Sequence, residues 1–153
     1  MATYTAVVEW SLKDGEDFPK GRYSRLHTVS FDGGVTIPAS ASPHVVPRPW
    51  AVDEAVDPEE LLVAALSNCH MLTFLDLARR KQVVVTSYRD EPVGVLEKTP
   101  EGRVAMTKVT LRPQITYAGQ APDAATLEAL HHAAHEGCFI ANSVTTEVVV
   151  EPR

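Results

Sequence analysis

The sequence predicts an α+β fold, with antiparallel sheets around one long, buried central helix. Two observations predict it. Residues 57–81 form the longest apolar run in the chain, and the run carries helix signals at both ends. Around it, short segments rich in β-branched and aromatic residues alternate with turn signals, in the order three strands, helix, two strands, helix, strand.

In chain order, residues 3–10 place Tyr4, Ala6 and Val8 on one face and read as a strand. Residues 11–20 are a polar loop with Gly15 and Pro19. Residues 23–31 and 35–40 read as two strands joined by the Asp32-Gly33-Gly34 hairpin turn, which lacks the helix a phosphate loop requires. Pro43, Pro47 and Pro49 make residues 41–56 an extended loop, where Trp50 is read as cover for a core edge. In the central helix Asp57 caps, Pro58 takes the first position, and Asp57 and Glu60 have capping-box spacing. Glu59 and Glu60 meet the positive end of the helix dipole; Arg79, Arg80 and Lys81 meet the negative end. Residues 82–96 and 104–117 read as an antiparallel pair, the second ended or bulged at Pro113, with Asp90 and Glu91 as a solvated strand end. Pro122 and Asp123 start a second helix that turns Leu127, Leu130, Ala134 and His131 inward and stops at Gly137. Cys138 follows in a turn, and residues 145–150 make the last strand.

A chain of 153 residues is expected to be one domain, 1–153, with a real core. Asn68, His70 and Asp76 argue against reading the apolar run as a membrane span. The amino terminus has neither basic flank nor apolar signal core, so the cytoplasm is the expected location. A net charge of −6 without a basic block argues against nucleic-acid binding. Two cysteines are too few for a disulfide scaffold. A helix apolar on nearly every side needs more cover than the remaining elements supply, and a homodimer is the natural source.

The two cysteines carry the functional question. A lone cysteine on a helix is ordinarily packing. Cys69 also lies about a dozen residues into its helix, beyond the first turn where the dipole acts, so reactivity there requires a neighbouring cation. His131 and His135 share a helical face at a spacing that can bind zinc, but one helix supplies too few ligands, and no metal is expected. These histidines read as a packed, half-polar face.

DPEELLVAALSNCHM around Cys69 and HEGCFIANSV around Cys138 together resemble the two cysteine segments of the OsmC/Ohr family of hydroperoxide-reducing proteins. The resemblance implies an OsmC-like fold, an intertwined homodimer and a thiol-dependent peroxidase without cofactor. Cys69 would be the peroxidatic residue and Cys138 the resolving one, closing a disulfide that a lipoyl-type dithiol reopens. Glu59 matches the family's glutamate at the helix start, and Arg25, with Arg22 close behind, its thiolate-holding arginine. A carboxylate beside a thiolate would disfavour it, so Glu59 is expected to act by positioning the arginine. Ten residues of helix separate Glu59 from Cys69 by roughly 15 Å, so Glu59 is expected to serve the partner subunit's thiol. Phe139 and Ile140 replace the family's usual proline after the second cysteine, and His70 follows the first where an aromatic or apolar residue is commoner, as in a divergent subgroup. The alternatives are a non-catalytic OsmC-like binder of a small hydrophobic ligand, and a thiol redox sensor.

Overall fold

The computed structural model describes residues 1–153. The chain divides into two compact units, Met1–Leu61 and Leu62–Arg153.

The first unit is built on an antiparallel sheet of β1 (Ala6–Glu9), β2 (His27–Phe31) and β3 (Thr36–Ala39), in that order. Val29 in the middle strand faces Val8 on one side and Ile37 on the other. The hairpin turn closes with the Gly34 N–H on the Phe31 carbonyl at 3.0 Å, and Gly34 takes the left-handed φ of 84°. Pro38 sits in β3, an edge strand, where a missing N–H is tolerated. The strand expected from residue 23 begins only at His27. The amides before it are used elsewhere: Ser24 donates to the Glu16 carboxylate at 2.8 Å and Arg25 to the Trp50 carbonyl at 2.8 Å.

Helix α1 runs unbroken over Pro58–Arg80. Its capping box forms in both directions, with Glu60 N–H on Asp57 Oδ1 at 2.7 Å and Asp57 N–H on Glu60 Oε2 at 3.0 Å. In the second unit follow β4 (Val85–Arg89), β5 (Val93–Lys98), β6 (Val104–Leu111), β7 (Gln114–Tyr117), α2 (Ala124–Glu136) and β8 (Glu147–Val150). The two long strands expected over 82–96 and 104–117 are each broken in two. Their outer halves form the β4–β7 pair and their inner halves join β8 in a β5-β6-β8 sheet. Pro92 and Pro113 lie at the breaks, where neither can donate to a ladder. Asp90 holds the corner: its carboxylate accepts the Arg112 N–H at 2.6 Å and the Ser67 hydroxyl at 2.5 Å. This corrects the reading of Asp90 as a solvated strand end. The β6–β8 pairing is parallel, because α2 carries the chain back before β8 enters the sheet.

Two apolar clusters hold the second unit. Phe74 and Ala78 of α1 meet Leu130 and Ala134 of α2, and Leu66 of α1 meets Val109 and Leu111 of β6. Gly94 allows α1 onto β5, since a Cβ there would lie 2.6 Å from Val63 and 2.8 Å from Met106. The fully buried residues of α1 are Leu66, His70, Phe74 and Ala78, one every fourth position. The opposite stripe, Ala64, Asn68 and Leu72, is exposed. A helix expected to be buried all round therefore buries one face within its own chain.

Candidate functional site

Cys69 lies on α1 immediately before the buried His70 and is itself half-buried. One turn later the Thr73 hydroxyl donates to the Cys69 carbonyl at 2.9 Å. Cys138 follows the end of α2 by two residues and is 2% exposed. Its N–H donates to the His135 carbonyl at 3.1 Å, and its carbonyl accepts the Asn142 N–H at 3.0 Å. The turn is thus tied to the last turn of the helix.

The two thiols are neighbours in the fold. The Cys69 thiol lies close enough to act directly on that of Cys138, and the two are unbridged. Burial pushes the Cys138 thiol up to about 11, and the Cys69 thiol beside it works in the same direction, while the Ala141 and Ile140 amides oppose. The Ala141 N–H reaches Cys138 Sγ at 3.4 Å. At neutral pH Cys138 is therefore a protonated, shielded thiol, inert until a partner is presented to it.

Gly137 makes this approach feasible. Gly137 does stop α2, which ends at Glu136, and it does so with an ordinary φ of −84°, its N–H on the Ala133 and His135 carbonyls. A Cβ at position 137 would lie 3.0 Å from Thr73 Cγ2 and 3.3 Å from the Ala133 carbonyl. Glycine lets the end of α2 close on α1 one turn from Cys69.

Beside the thiols sits a buried histidine pair. His70 is 1% exposed and His131 6%. His70 Nε2 and His131 Nδ1 share a hydrogen bond at 3.1 Å, and the two rings are within 5° of parallel. His131 also stacks on Phe74, centroid to centroid 4.5 Å. Burial, then the charges of His131 and His135, lowers His70 to about 4, and burial lowers His131 as well. Both rings are neutral at physiological pH. His131 does face inward, and its partner is a histidine.

Arg25 and Glu59 belong to the first unit. The Arg25 guanidinium donates from Nη1 to the Gly21 carbonyl at 2.9 Å and the Tyr23 carbonyl at 2.5 Å, and lies 3.6 Å above the Tyr23 ring centroid. Arg25 forms no ion pair with Glu59 in this chain. One Glu59 carboxylate oxygen, Oε2, is buried without a hydrogen-bond partner. Arg22 is exposed and uses its backbone to bridge Asp17.

Residues 51–153, with Glu59, Cys69 and Cys138 among them, match the family model described as OsmC-like protein. The chain belongs to the OsmC-like family. Arg25 lies outside the matched stretch. An OsmC-like protein of unknown function from Vibrio cholerae is 54% identical, with a TM-score of 0.97 over 100% of both chains. An organic hydroperoxide resistance protein from Elizabethkingia anophelis shares the fold at 16% identity, with a TM-score of 0.71 over 99% of this chain and 94% of its own. The organic hydroperoxide resistance protein OhrB of Bacillus subtilis does so at 18% identity, with a TM-score of 0.69 over 99% and 98%. No curated protein matches the sequence.

In this OsmC-like chain the thiols that the sequence singled out are brought together. Reading the sequence missed the His70–His131 bond and the fit of Gly137 against Thr73. The one available signal was the position of His131 within the apolar stripe of α2, between Leu127 and Ala134.

Proposed function

We propose that this OsmC-like protein is a thiol-dependent peroxidase that reduces organic hydroperoxides, acting as a cytoplasmic homodimer through Cys69 and Cys138. The observation that carries this reading is that two unbridged thiols, Cys69 and Cys138, are neighbours in the fold. Family membership and the fold shared with organic hydroperoxide resistance proteins support it.

The Cys69 thiolate attacks the terminal oxygen of the hydroperoxide. The O–O bond breaks, the alkoxide takes a proton to leave as alcohol, and Cys69 becomes a sulfenic acid. Cys138 sulfur then attacks the Cys69 sulfur. The S–O bond breaks, hydroxide leaves with the Cys138 proton as water, and a disulfide forms. A lipoyl-type dithiol reduces that disulfide by exchange and is itself oxidised. The high-lying, buried Cys138 suits the second step, because a protonated thiol competes poorly for the peroxide. Arg25 is assigned to hold the Cys69 thiolate, where opposite charge favours the ionised form. Glu59 is assigned to position that arginine across the subunit interface, and its unpartnered carboxylate oxygen is consistent with a partner from outside the chain.

Replacing Cys69 by Ser and assaying cumene hydroperoxide consumption with dihydrolipoamide tests the reading. Turnover by the native protein and none by Cys69→Ser is expected. Equal activity in both, or none in the native protein, overturns it. Disulfide formation without turnover would leave a redox sensor in its place.

A further inference from the structure

We infer that the buried His70–His131 pair is a positioning device for the reaction, setting the register of α2 on α1 that brings Cys138 onto Cys69. The inference deepens the peroxidase reading and rests on it for the identity of the oxidant, but the geometry stands independently.

The arrangement of protons follows from burial. His70 Nδ1 is buried with no partner. A proton there would be an orphaned buried donor, which is rarer and more costly than an unfilled lone pair. The proton of His70 therefore sits on Nε2 and is donated to His131 Nδ1, across 3.1 Å. His131 then carries its own proton on Nε2, and His131 lines an open groove of about 510 Å³ with His132, His135 and Val148, so that proton has access to water. Near-parallel rings with centroids 5.5 Å apart fit an edge-to-edge N–H···N bond.

The pair sits where it can govern the thiols. His70 is the next residue after Cys69, and His131 lies seven residues before Cys138 on the helix whose last turn holds the Cys138 N–H. A second point of contact, Gly137 against Thr73, adjoins Cys138 on one helix and follows Cys69 by one turn on the other. An apolar contact at position 131 would tolerate sliding, as Phe74 offers a broad face. A buried hydrogen bond does not slide, since lengthening it strands two polar atoms away from water. Disulfide closure needs this control, because the sulfurs must reach about 2.05 Å in a narrow range of torsions.

The test compares His131→Phe, which keeps the stacking and removes the acceptor, with His131→Asn, whose Oδ1 can stand in for Nδ1. His70→Leu and His70→Gln form a second pair, the glutamine keeping a donor. Near-UV circular dichroism selects the variants that retain native packing. Reduced protein is mixed with cumene hydroperoxide, and sulfenic acid, disulfide and sulfinic acid at Cys69 are followed by quenched mass spectrometry. Native and His131→Asn proteins should close the disulfide at similar rates. His131→Phe should form the sulfenic acid normally, close roughly 10–100-fold more slowly and accumulate sulfinic acid under excess peroxide. Closure by His131→Phe at the native rate, or His131→Asn as slow as His131→Phe, overturns the inference. Diamide replaces peroxide in a parallel arm: one thiolate adds to its N=N bond, the second displaces it as the disulfide forms, and the diamide leaves reduced to a hydrazine. The same ranking is expected there, so this arm judges the histidine pair even if hydroperoxide leaves both thiols intact, the result that sinks the peroxidase reading alone.

Discussion

A methyl group at position 137 would crowd Thr73 Cγ2 at 3.0 Å and the Ala133 carbonyl at 3.3 Å, so one of these neighbours would have to shift by a few tenths of an ångström. Because the backbone of Gly137 is in an ordinary conformation, Gly137→Ala tests contact with Thr73 and the Ala133 carbonyl rather than strain. We expect it to lower stability by about 1–3 kcal/mol, read from urea denaturation, and to slow disulfide closure. Adding Thr73→Ser removes the methyl it meets and should recover most of the loss; additive effects in the double variant would refute the contact account. His70 gives a pH prediction. Its folded value of about 4 lies below the unfolded 6.5, so the unfolded chain binds the extra proton. Stability from this group is fully present above about pH 6.5 and is lost as pH falls toward 4, amounting to roughly 3 kcal/mol over that window. His131, lowered by burial, adds in the same direction. Urea midpoints measured from pH 7 to pH 4 should decline less steeply in His70→Leu than in the native protein, and equal slopes would count against a buried neutral histidine. Both cysteines were legible in the sequence because each sits in a recognisable local segment. The histidine pair was not, since its members stand 61 residues apart and each alone resembles a packed side chain.

At the scale of elements, the signals that read true are those whose partners lie within a turn of each other. The capping box of α1 joins residues three apart, and the Asp123 cap of α2 accepts the Thr126 N–H at 2.7 Å. The broken strands were only half legible. Pro113 marked one break, but Asp90 looks like any charged strand end until Ser67 and Arg112, 23 and 22 residues away, are brought to it. Asp90→Ala should leave the Arg112 N–H without its acceptor and cost about 1–3 kcal/mol, with the loss visible as faster amide exchange at Arg112. Unchanged exchange there would show that the corner is held by the prolines alone.

At the scale of the whole molecule, α1 is the element with work left over. Its inner stripe is filled by α2 and β6, while Leu72 remains 59% exposed on the outer one. In the proposed homodimer a second copy covers that stripe. Sedimentation at micromolar concentration is expected to give twice the chain mass for the native protein, and the single-chain mass for Leu72→Glu with an unchanged far-UV spectrum. A native monomer would remove the dimer, and with it the assignment of Glu59 to a partner's site. The α+β class, the limits and cap of α1, and the two cysteines are legible before any folding is known, because periodicity, capping and motif are written within short stretches of chain. That Cys138 comes near Cys69, that His70 finds His131, and that one face of α1 stays bare are settled by the packing of distant segments. Those outcomes depend on how α2 packs on α1, a match of shape and hydrogen bonding between segments some sixty residues apart that leaves no local trace.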